Sequence, residues 1–309
     1  MKNHYDVIVI GGGPGGYTAA LYTARAGLST LVIERMTVGG QMTETTQIDN
    51  YPGFEEGIDG FSLGMKMQAG AERFGAETLY AEVLSVQLEG KEKQVETSEG
   101  SFLAGAVIIA TGAGHRHLGL EGEGDLVGRG VAYCAACDGM FYRDKEVAVV
   151  GGGNSAAADA LLLSRVAKKV HLIHRRDTLR ATKIYHGALE QAENVQFHWN
   201  SAVKELRYGD VLTGVVLKNL VTGAESELPL EGLFISVGRT PATNLFRGQI
   251  ALDESGYILA DESTRTSIPG VFAVGDVRTK AVRQIITAAA DGAVAAHMAE
   301  SYLAAGSAR

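Results

Sequence analysis

The sequence predicts an α/β protein built from two Rossmann-like, three-layer dinucleotide-binding domains. Three observations carry that expectation. A strand, glycine turn, helix and second strand open the chain; the same plan recurs after residue 145; and an apolar strand closing on glycine follows each copy. Repetition of a whole unit identifies an architecture, whereas one glycine motif identifies only a loop.

In the first copy, "YDVIVI" (Tyr5 to Ile10) is a short β-branched run of the kind that fills a buried parallel strand. "GGGPGG" follows at once, then the helical stretch "YTAALYTARAG" and a second strand, "STLVIE", ending in Glu34. In such a fingerprint Gly11 makes the tight turn, Gly13 lets backbone approach a pyrophosphate, and Gly16 allows close helix packing. Glu34 lies 23 residues after Gly11, where a carboxylate accepts hydrogen bonds from an adenosine ribose.

The second copy reads "EVAVVGGGNSAAADALLLSRVAKKVHLIHRRD", with Gly151, Gly153 and Ala156 in the three fingerprint places. Where the first copy ends in an acid, this one offers His174, Arg175 and Arg176. An acid there would repel a 2′-phosphate, and guanidinium groups would grip it through bidentate charge-assisted hydrogen bonds, so the second site is expected to prefer NADPH to NADH. "AGAVIIATG" (Ala104 to Gly112) and "EGLFISVG" (Glu231 to Gly238) are the closing strands. The glycine-rich stretch between Gly112 and Arg129 reads as a linker. Later, "GVFAVGDV" gives another strand, ending in Gly275 and Asp276, and an Ala-rich helix is expected from about Gln284.

With 309 residues, 46% of them hydrophobic and 21% charged, the chain has the composition of a globular protein long enough for two cores. A net charge of −8 and the absence of a long basic run argue against nucleic acid as a partner. No stretch reaches the 18 or so uninterrupted apolar residues of a membrane span, and the start lacks the features of a signal peptide, so the expected location is the cytoplasm, without a membrane.

Both cysteines lie in "CAACDG", as Cys134 and Cys137, with Asp138 directly after. A structural zinc site needs four ligands; His115 and His117 could complete such a set, but they lie in the presumed linker and leave Asp138 without a role. An inert buried pair is the other alternative. Against it, the pair sits where a helix would start, which lowers thiol pKa, and two small residues between the sulfurs keep the ring closable. Thiol exchange then wants an acid to protonate the leaving sulfur, which Asp138 could supply. Cysteines cannot take a hydride unaided, so a flavin is needed, and FAD would explain the other nucleotide site.

The blocks "GGGPGGYTAALYTARAG", "GGQMTETTQIDNYPGF", "CAACDG", "GGGNSA", "HRRD" and "GVFAVGDV" with "RQIITAAADG" resemble, in order and spacing, the bacterial-type low-molecular-weight thioredoxin reductases over essentially the full chain. The resemblance implies a homodimeric NADPH-dependent FAD disulfide oxidoreductase that passes electrons through Cys134 and Cys137 to thioredoxin. It implies an FAD-binding domain over 1–114 and 245–309, with an NADPH-binding domain inserted at 115–244. Gly11, Gly13, Pro14, Gly15 and Gly16 would then cradle the FAD pyrophosphate, with Glu34 and Arg35 at the adenosine ribose. Gly39, Gly40, Gln41, Thr45, Asn50 and Gly112 would line the flavin side. Gly275 and Asp276 would serve the ribityl-pyrophosphate region, and Arg283, Gln284 and Ile285 the ring.

For NADPH, the resemblance assigns Gly151, Gly153, Asn154, Ser155 and Ala156 to the pyrophosphate, and His174, Arg175, Arg176 and Arg180 to the 2′-phosphate. Cys137 would face the flavin, Cys134 attack thioredoxin and Asp138 act as acid, the inserted domain rotating about two crossing strands. Three positions depart from the family's pattern: Ala136 replaces a threonine between the cysteines, Met140 a frequent phenylalanine, and Ala158 a frequent glutamate. Related readings on the same scaffold are a reductase for a peroxiredoxin or another dithiol partner, a dithiol oxidase, and a flavin-bound sensor that does not turn over.

Overall fold

The computed structural model describes residues 2–45 and 47–307. The chain divides into two compact units, Met1–Gly114 with Thr240–Arg309, and His115–Arg239. The first crossing falls at 114/115, but the second comes at 239/240 rather than 244/245, because Ala242 already donates its N–H to Gly112 and Thr243 to Pro241 within the first unit.

The first unit opens with β1 (His4–Ile10), α1 (Pro14–Arg25) and β2 (Thr30–Glu34). It continues through α2 (Gly60–Glu72), β3 (Glu77–Tyr80), β4 (Val83–Gln87), β5 (Lys93–Thr97) and β6 (Gly100–Ile109) to β7 (Ala113–His115) at the crossing. The second unit comprises β8 (Val131–Ala132), α3 (Ala135–Asp138), β9 (Glu146–Val150), α4 (Asn154–Leu163) and β10 (Lys169–Ile173). After α5 (Lys183–Gln191) come β11 (Val195–His198), β12 (Ser201–Tyr208), β13 (Leu212–Asn219), β14 (Glu225–Pro229) and β15 (Gly232–Ile235). The return crossing is β16 (Arg239–Pro241), hydrogen-bonded to β7, and leads to β17 (Val271–Ala273) and α6 (Ile285–Ser307).

In the first unit the sheet runs β3-β2-β1-β6-β5-β4, with β17 also on β6. Strand β6 serves two neighbours along one edge: residues 100–104 pair antiparallel with β5, and residues 107–109 pair parallel with β17. Alternation decides the layers. Val7 and Val9 face the helices, packing with Ala19 and Ala20 of α1 and Ala295 and Ala299 of α6, whereas Ile8 and Ile10 face Phe246 and Ile258. Helix α6 meets α1 closely at Gly292, where a Cβ would run into the Gly15 carbonyl and the Ala19 amide nitrogen.

The second unit repeats the design, with sheet order β11-β10-β9-β15-β8. Val147 and Val149 pack on Ala156, Ala157, Ala160 and Leu163, while Ala148 and Val150 pack on Leu206, Leu212 and Val215 of the antiparallel layer β12-β13-β14. In each unit the helices cover one face of the parallel sheet; the other face is covered by β4, β5 and the segment 245–277 in the first unit and by the antiparallel sheet in the second. The expected linker before Arg129 is no linker. Leu118, Leu120 and Leu126 join this core, and Glu123, only 3% exposed, accepts the N–H groups of Leu118, Gly119 and Leu120. Its glycines suggested a linker; burial of Leu118, Leu120 and Leu126 and one internal carboxylate fold it instead.

Candidate active site

At the first glycine turn, Gly11 has φ +107 and a Cβ there would lie 2.5 Å from the Ala110 carbonyl oxygen, so only glycine fits. A Cβ at Gly16 would overlap the Gly11 carbonyl, which is the close helix approach expected of that position. Gly13, by contrast, faces open space, with the Gly39 carbonyl 4.0 Å from where its Cβ would be. Pro14 begins α1 with no hydrogen lost to the helix, and Gly15 lies against Ala288 and Val274. Gly39 donates to the Gly12 carbonyl at 2.7 Å, and Gly40 sits against Gly13, so two glycine turns enclose one cradle of backbone. Glu34 ends β2, and its carboxylate accepts from Gly12 N–H at 2.7 Å and from Met36 N–H; Arg35 beside it is exposed.

Further residues of the first unit come together from distant sequence. Gln41 donates to the Ala113 carbonyl at 2.6 Å, and Asn50 donates to Gln284 at 3.1 Å across 234 residues. Thr45 ends the 3-10 turn begun by Gly40, and Gly112, with φ +71, takes the Ala242 N–H. Gly275 donates its N–H to Asp291 at 2.9 Å, placing Asp276 at the start of a 3-10 turn. Arg283 lays its guanidinium 4.3 Å over the Tyr257 ring, with its Nε buried and unpartnered, and Ile285 opens α6.

No motif marked Asp291, yet it is a hub. It is 7% exposed and accepts two bonds from Arg278 (2.9 and 2.7 Å) and one from Lys280 at 2.7 Å besides that from Gly275. Those donors hold its carboxyl below the usual range against the opposing effect of burial. An acid in the Ala-rich first turns of a helix, with Arg278, Lys280 and Arg283 in the preceding loop, was the pattern that could have revealed it.

In the second unit Gly151 has φ +156, and a Cβ there would meet the Ala156 side chain at 2.6 Å. Gly153 caps α4 and faces open space. Asn154 accepts the Thr182 N–H at 2.8 Å, Ser155 is exposed, and Ala156 is fully buried. Gly152 supplies its carbonyl to the N–H groups of Arg180 and Ala181, so the loop after β10 folds back onto the glycine turn. Arg175, Arg176 and Arg180 are all exposed. His174 stands apart from them: only 4% exposed, it lies under Gly152, edge-on to Trp199, with Nε2 unpartnered. Burial, then the neighbouring arginines, keep its pKa below the ordinary histidine value.

Cys134 and Cys137 are joined as a disulfide. Cys134, in extended conformation, caps the four-residue helix α3, and its carbonyl accepts the N–H of Cys137 and of Asp138. Asp138 is the titratable group of this segment. Burial pushes its carboxyl up to about 6, and the same charge helps raise neighbouring Tyr142 to about 12. A carboxyl poised there can carry a proton at near-neutral pH, which the leaving sulfur of a thiol exchange requires. Met140 and Phe141, 57% and 45% exposed, follow directly.

Comparison with known proteins gives a consistent picture. Residues 5–292 match the family described as pyridine nucleotide-disulphide oxidoreductase. The chain is 50% identical over 301 residues to a thioredoxin reductase of Listeria monocytogenes, covering 97% of this chain and 94% of that one. It is 49% identical over 308 residues to a thioredoxin reductase of Streptomyces coelicolor, covering 99% and 96%. The crystal structure of thioredoxin reductase from Streptococcus pyogenes superposes with a TM-score of 0.92 at 45% identity, covering 99% of this chain and 100% of that one.

Proposed function

Because the chain belongs to the pyridine nucleotide-disulphide oxidoreductase family, we propose that it is a thioredoxin-disulfide reductase that carries two electrons from NADPH through FAD to the Cys134–Cys137 disulfide and on to oxidised thioredoxin. One observation carries the reading: two glycine cradles and one bonded C-x-x-C pair with a raised-pKa acid lie in a single chain. The thioredoxin reductases it resembles along nearly their whole length supply the protein substrate.

The residues present fit both nucleotides. Gly13 and Gly153 leave open space at a helix start, where backbone N–H groups and the helix dipole favour a pyrophosphate. In this reading the first unit holds FAD, with Glu34 oriented by Gly12 to accept from a ribose hydroxyl. The second holds NADPH, with the exposed Arg175, Arg176 and Arg180 pairing a 2′-phosphate. Bound flavin supplies the two-electron carrier that converts hydride donation into disulfide reduction. The chain's own sulfurs do the rest. Once the Cys134–Cys137 bond has taken up two electrons and a proton, the Cys134 thiolate attacks thioredoxin's disulfide and forms a mixed disulfide. The Asp138 carboxyl protonates the departing sulfur, and the carboxylate left behind takes the Cys137 proton. The Cys137 thiolate attacks the Cys134 sulfur of the mixed disulfide to re-form the internal bond, and the second thioredoxin sulfur leaves as a thiol with that proton, Asp138 regaining one from water.

Paired strands β7 and β16 are, in this proposal, the hinge about which the second unit turns between its tasks. The reading also includes a homodimer and a cytoplasmic location, where a vicinal cysteine pair is redox-active rather than a staple. No helix among the described residues is long and apolar enough to cross a membrane.

Steady-state oxidation of NADPH in the presence of thioredoxin tests the proposal, with NADH as comparison. Expected are a yellow protein, turnover that depends on thioredoxin, and a strong preference for NADPH. Replacing Arg175 and Arg176 by alanine should cost about 10- to 100-fold in kcat/KM for NADPH per charge-assisted contact while leaving NADH nearly unchanged. Thioredoxin reduction that survived in Cys134→Ser would refute the assignment of the nucleophile.

A further inference from the structure

The residue before Cys134 is held far more firmly than its backbone explains. Strand β8 is two residues long and meets β15 through Val131 and Ala132 alone, and helix α3 beyond the cysteine has four residues. Between them Tyr133 sends its side chain into the segment 115–123. Its hydroxyl donates to Glu123 Oε1 at 2.7 Å, so its oxygen accepts from His117 Nδ1 at 2.7 Å, which places a hydrogen on that nitrogen. The ring stacks on His115 with centroids 4.7 Å apart and planes 19° apart, and meets His117 edge-on at 5.4 Å. Glu123 cannot yield, because it is 3% exposed and tied to three backbone N–H groups.

From this geometry we infer that Tyr133, clamped by Glu123, His117 and His115, is a positioning residue for the attacking sulfur, fixing the Cys134 end of the redox segment when the disulfide is open. The inference rests on the proposed disulfide chemistry and deepens it. While Cys134 and Cys137 are bonded, the covalent ring holds both sulfurs, and the clamp adds little. Reduction removes that ring. A two-residue strand and a single helical turn then remain, and such short elements fray unless side chains tie them down. The clamp keeps Cys134 within reach of Cys137, so the effective concentration of one thiol at the other stays high. It acts on the open form, so its loss makes re-closure harder and the pair easier to reduce.

The experiment uses flavin-loaded protein and reads the disulfide directly. The Cys134–Cys137 couple is equilibrated with dithiothreitol at graded ratios, and thiols are counted by alkylation. Tyr133→Phe keeps the ring stack and loses both hydrogen bonds. Its effective thiol concentration should fall roughly tenfold, a shift of about 30 mV toward easier reduction. His117→Ala, at an exposed position, should shift the couple the same way by less, and His117→Gln, which keeps an N–H donor, should restore most of the difference. Ferricyanide reduction by NADPH, which bypasses the cysteines, should stay at the parent rate in all three. Tyr133→Phe with parental potential and parental alkylation rate of Cys134 would overturn the inference. So would a fall in ferricyanide turnover of Tyr133→Phe, since that marks a loss of fold. Failure of the functional reading appears elsewhere, as parent protein that cannot reduce thioredoxin although its disulfide potential remains measurable.

Discussion

Asp138 shows how burial gives a side chain its chemistry. Desolvation alone raises its pKa to about 6, and that has consequences of opposite sign for stability and for turnover. The folded protein binds this proton more tightly than the unfolded chain does, so stability is greatest below the unfolded pKa and declines as pH rises through about 6. Asp138→Asn should therefore melt higher than the parent at pH 7, by about 2 kcal/mol, with the gap closing toward pH 4. Turnover should move the other way. Without the acid, thioredoxin reduction should fall about 100-fold while flavin reduction by NADPH, followed as bleaching, remains intact. Equal melting at pH 7 would show that the carboxyl is not desolvated. Nothing in the structure explains Ala158, which is exposed on α4. Ala136 is exposed between the cysteines, and its missing hydroxyl leaves both sulfurs in place.

At the scale of elements, glycines of one motif serve two physical ends, and substitution separates them. Gly16 is closed by the Gly11 carbonyl, and Gly153 opens onto empty space. Gly16→Ala should force the turn and helix apart at a cost of about 3 kcal/mol, read as a lower melting temperature together with loss of bound flavin. Gly153→Val should keep the fold within about 1 kcal/mol, because an extended cap residue accepts a side chain, and should raise KM for NADPH at least about tenfold by filling the space beside the pyrophosphate. Unchanged KM in that variant would remove the second cradle from the reading. Sequence spacing located both turns, since a positive φ and a close approach are demanded by neighbours a few residues away. The atom that closes Gly16 belongs to the motif itself, whereas the space at Gly11, Gly13 and Gly15 depended on Ala110, Gly39 and Ala288, which the motif does not contain.

Across the molecule, the two units differ in their response to acid. On adjacent parallel strands of the second unit, His171 and His198 share a hydrogen bond of 2.9 Å, and His171 is 2% exposed. Glu146 of β9 stands 3.9 Å from His171 Nε2 and also holds Lys168, while Lys169 adds a second positive charge nearby. Burial, then His198, then Lys169 lower His171 to about 4, and burial lowers His198. A histidine depressed below its unfolded value of about 6.5 stabilises the fold at neutral pH, and that stability is lost as pH falls from 6.5 through about 4. His171 should account for about 2 kcal/mol of the parent's loss between pH 7 and pH 5, beside that of His115, which burial also lowers to about 4, and His171→Gln should lose less by that amount. Calorimetry of both proteins across that window decides it; parallel slopes would mean that the pair does not titrate with unfolding. In the first unit the buried cluster of Asp291, Arg278 and Lys280 has the opposite design, with every charge paired.

What the sequence determined alone was whatever short-range geometry enforces: β-branched strands, glycine turns between strand and helix, a ring-closable C-x-x-C and the repetition of one unit. These features need only neighbours along the chain. What tertiary structure alone decided was environment. It folded the supposed linker around Glu123, buried His174 beneath Gly152 while leaving the arginines exposed, gave Asp138 its raised pKa, and set Tyr133 between residues 10 to 18 positions upstream. Desolvation and hydrogen bonding depend on which atoms surround a group, and those atoms are supplied by segments that no local pattern brings together.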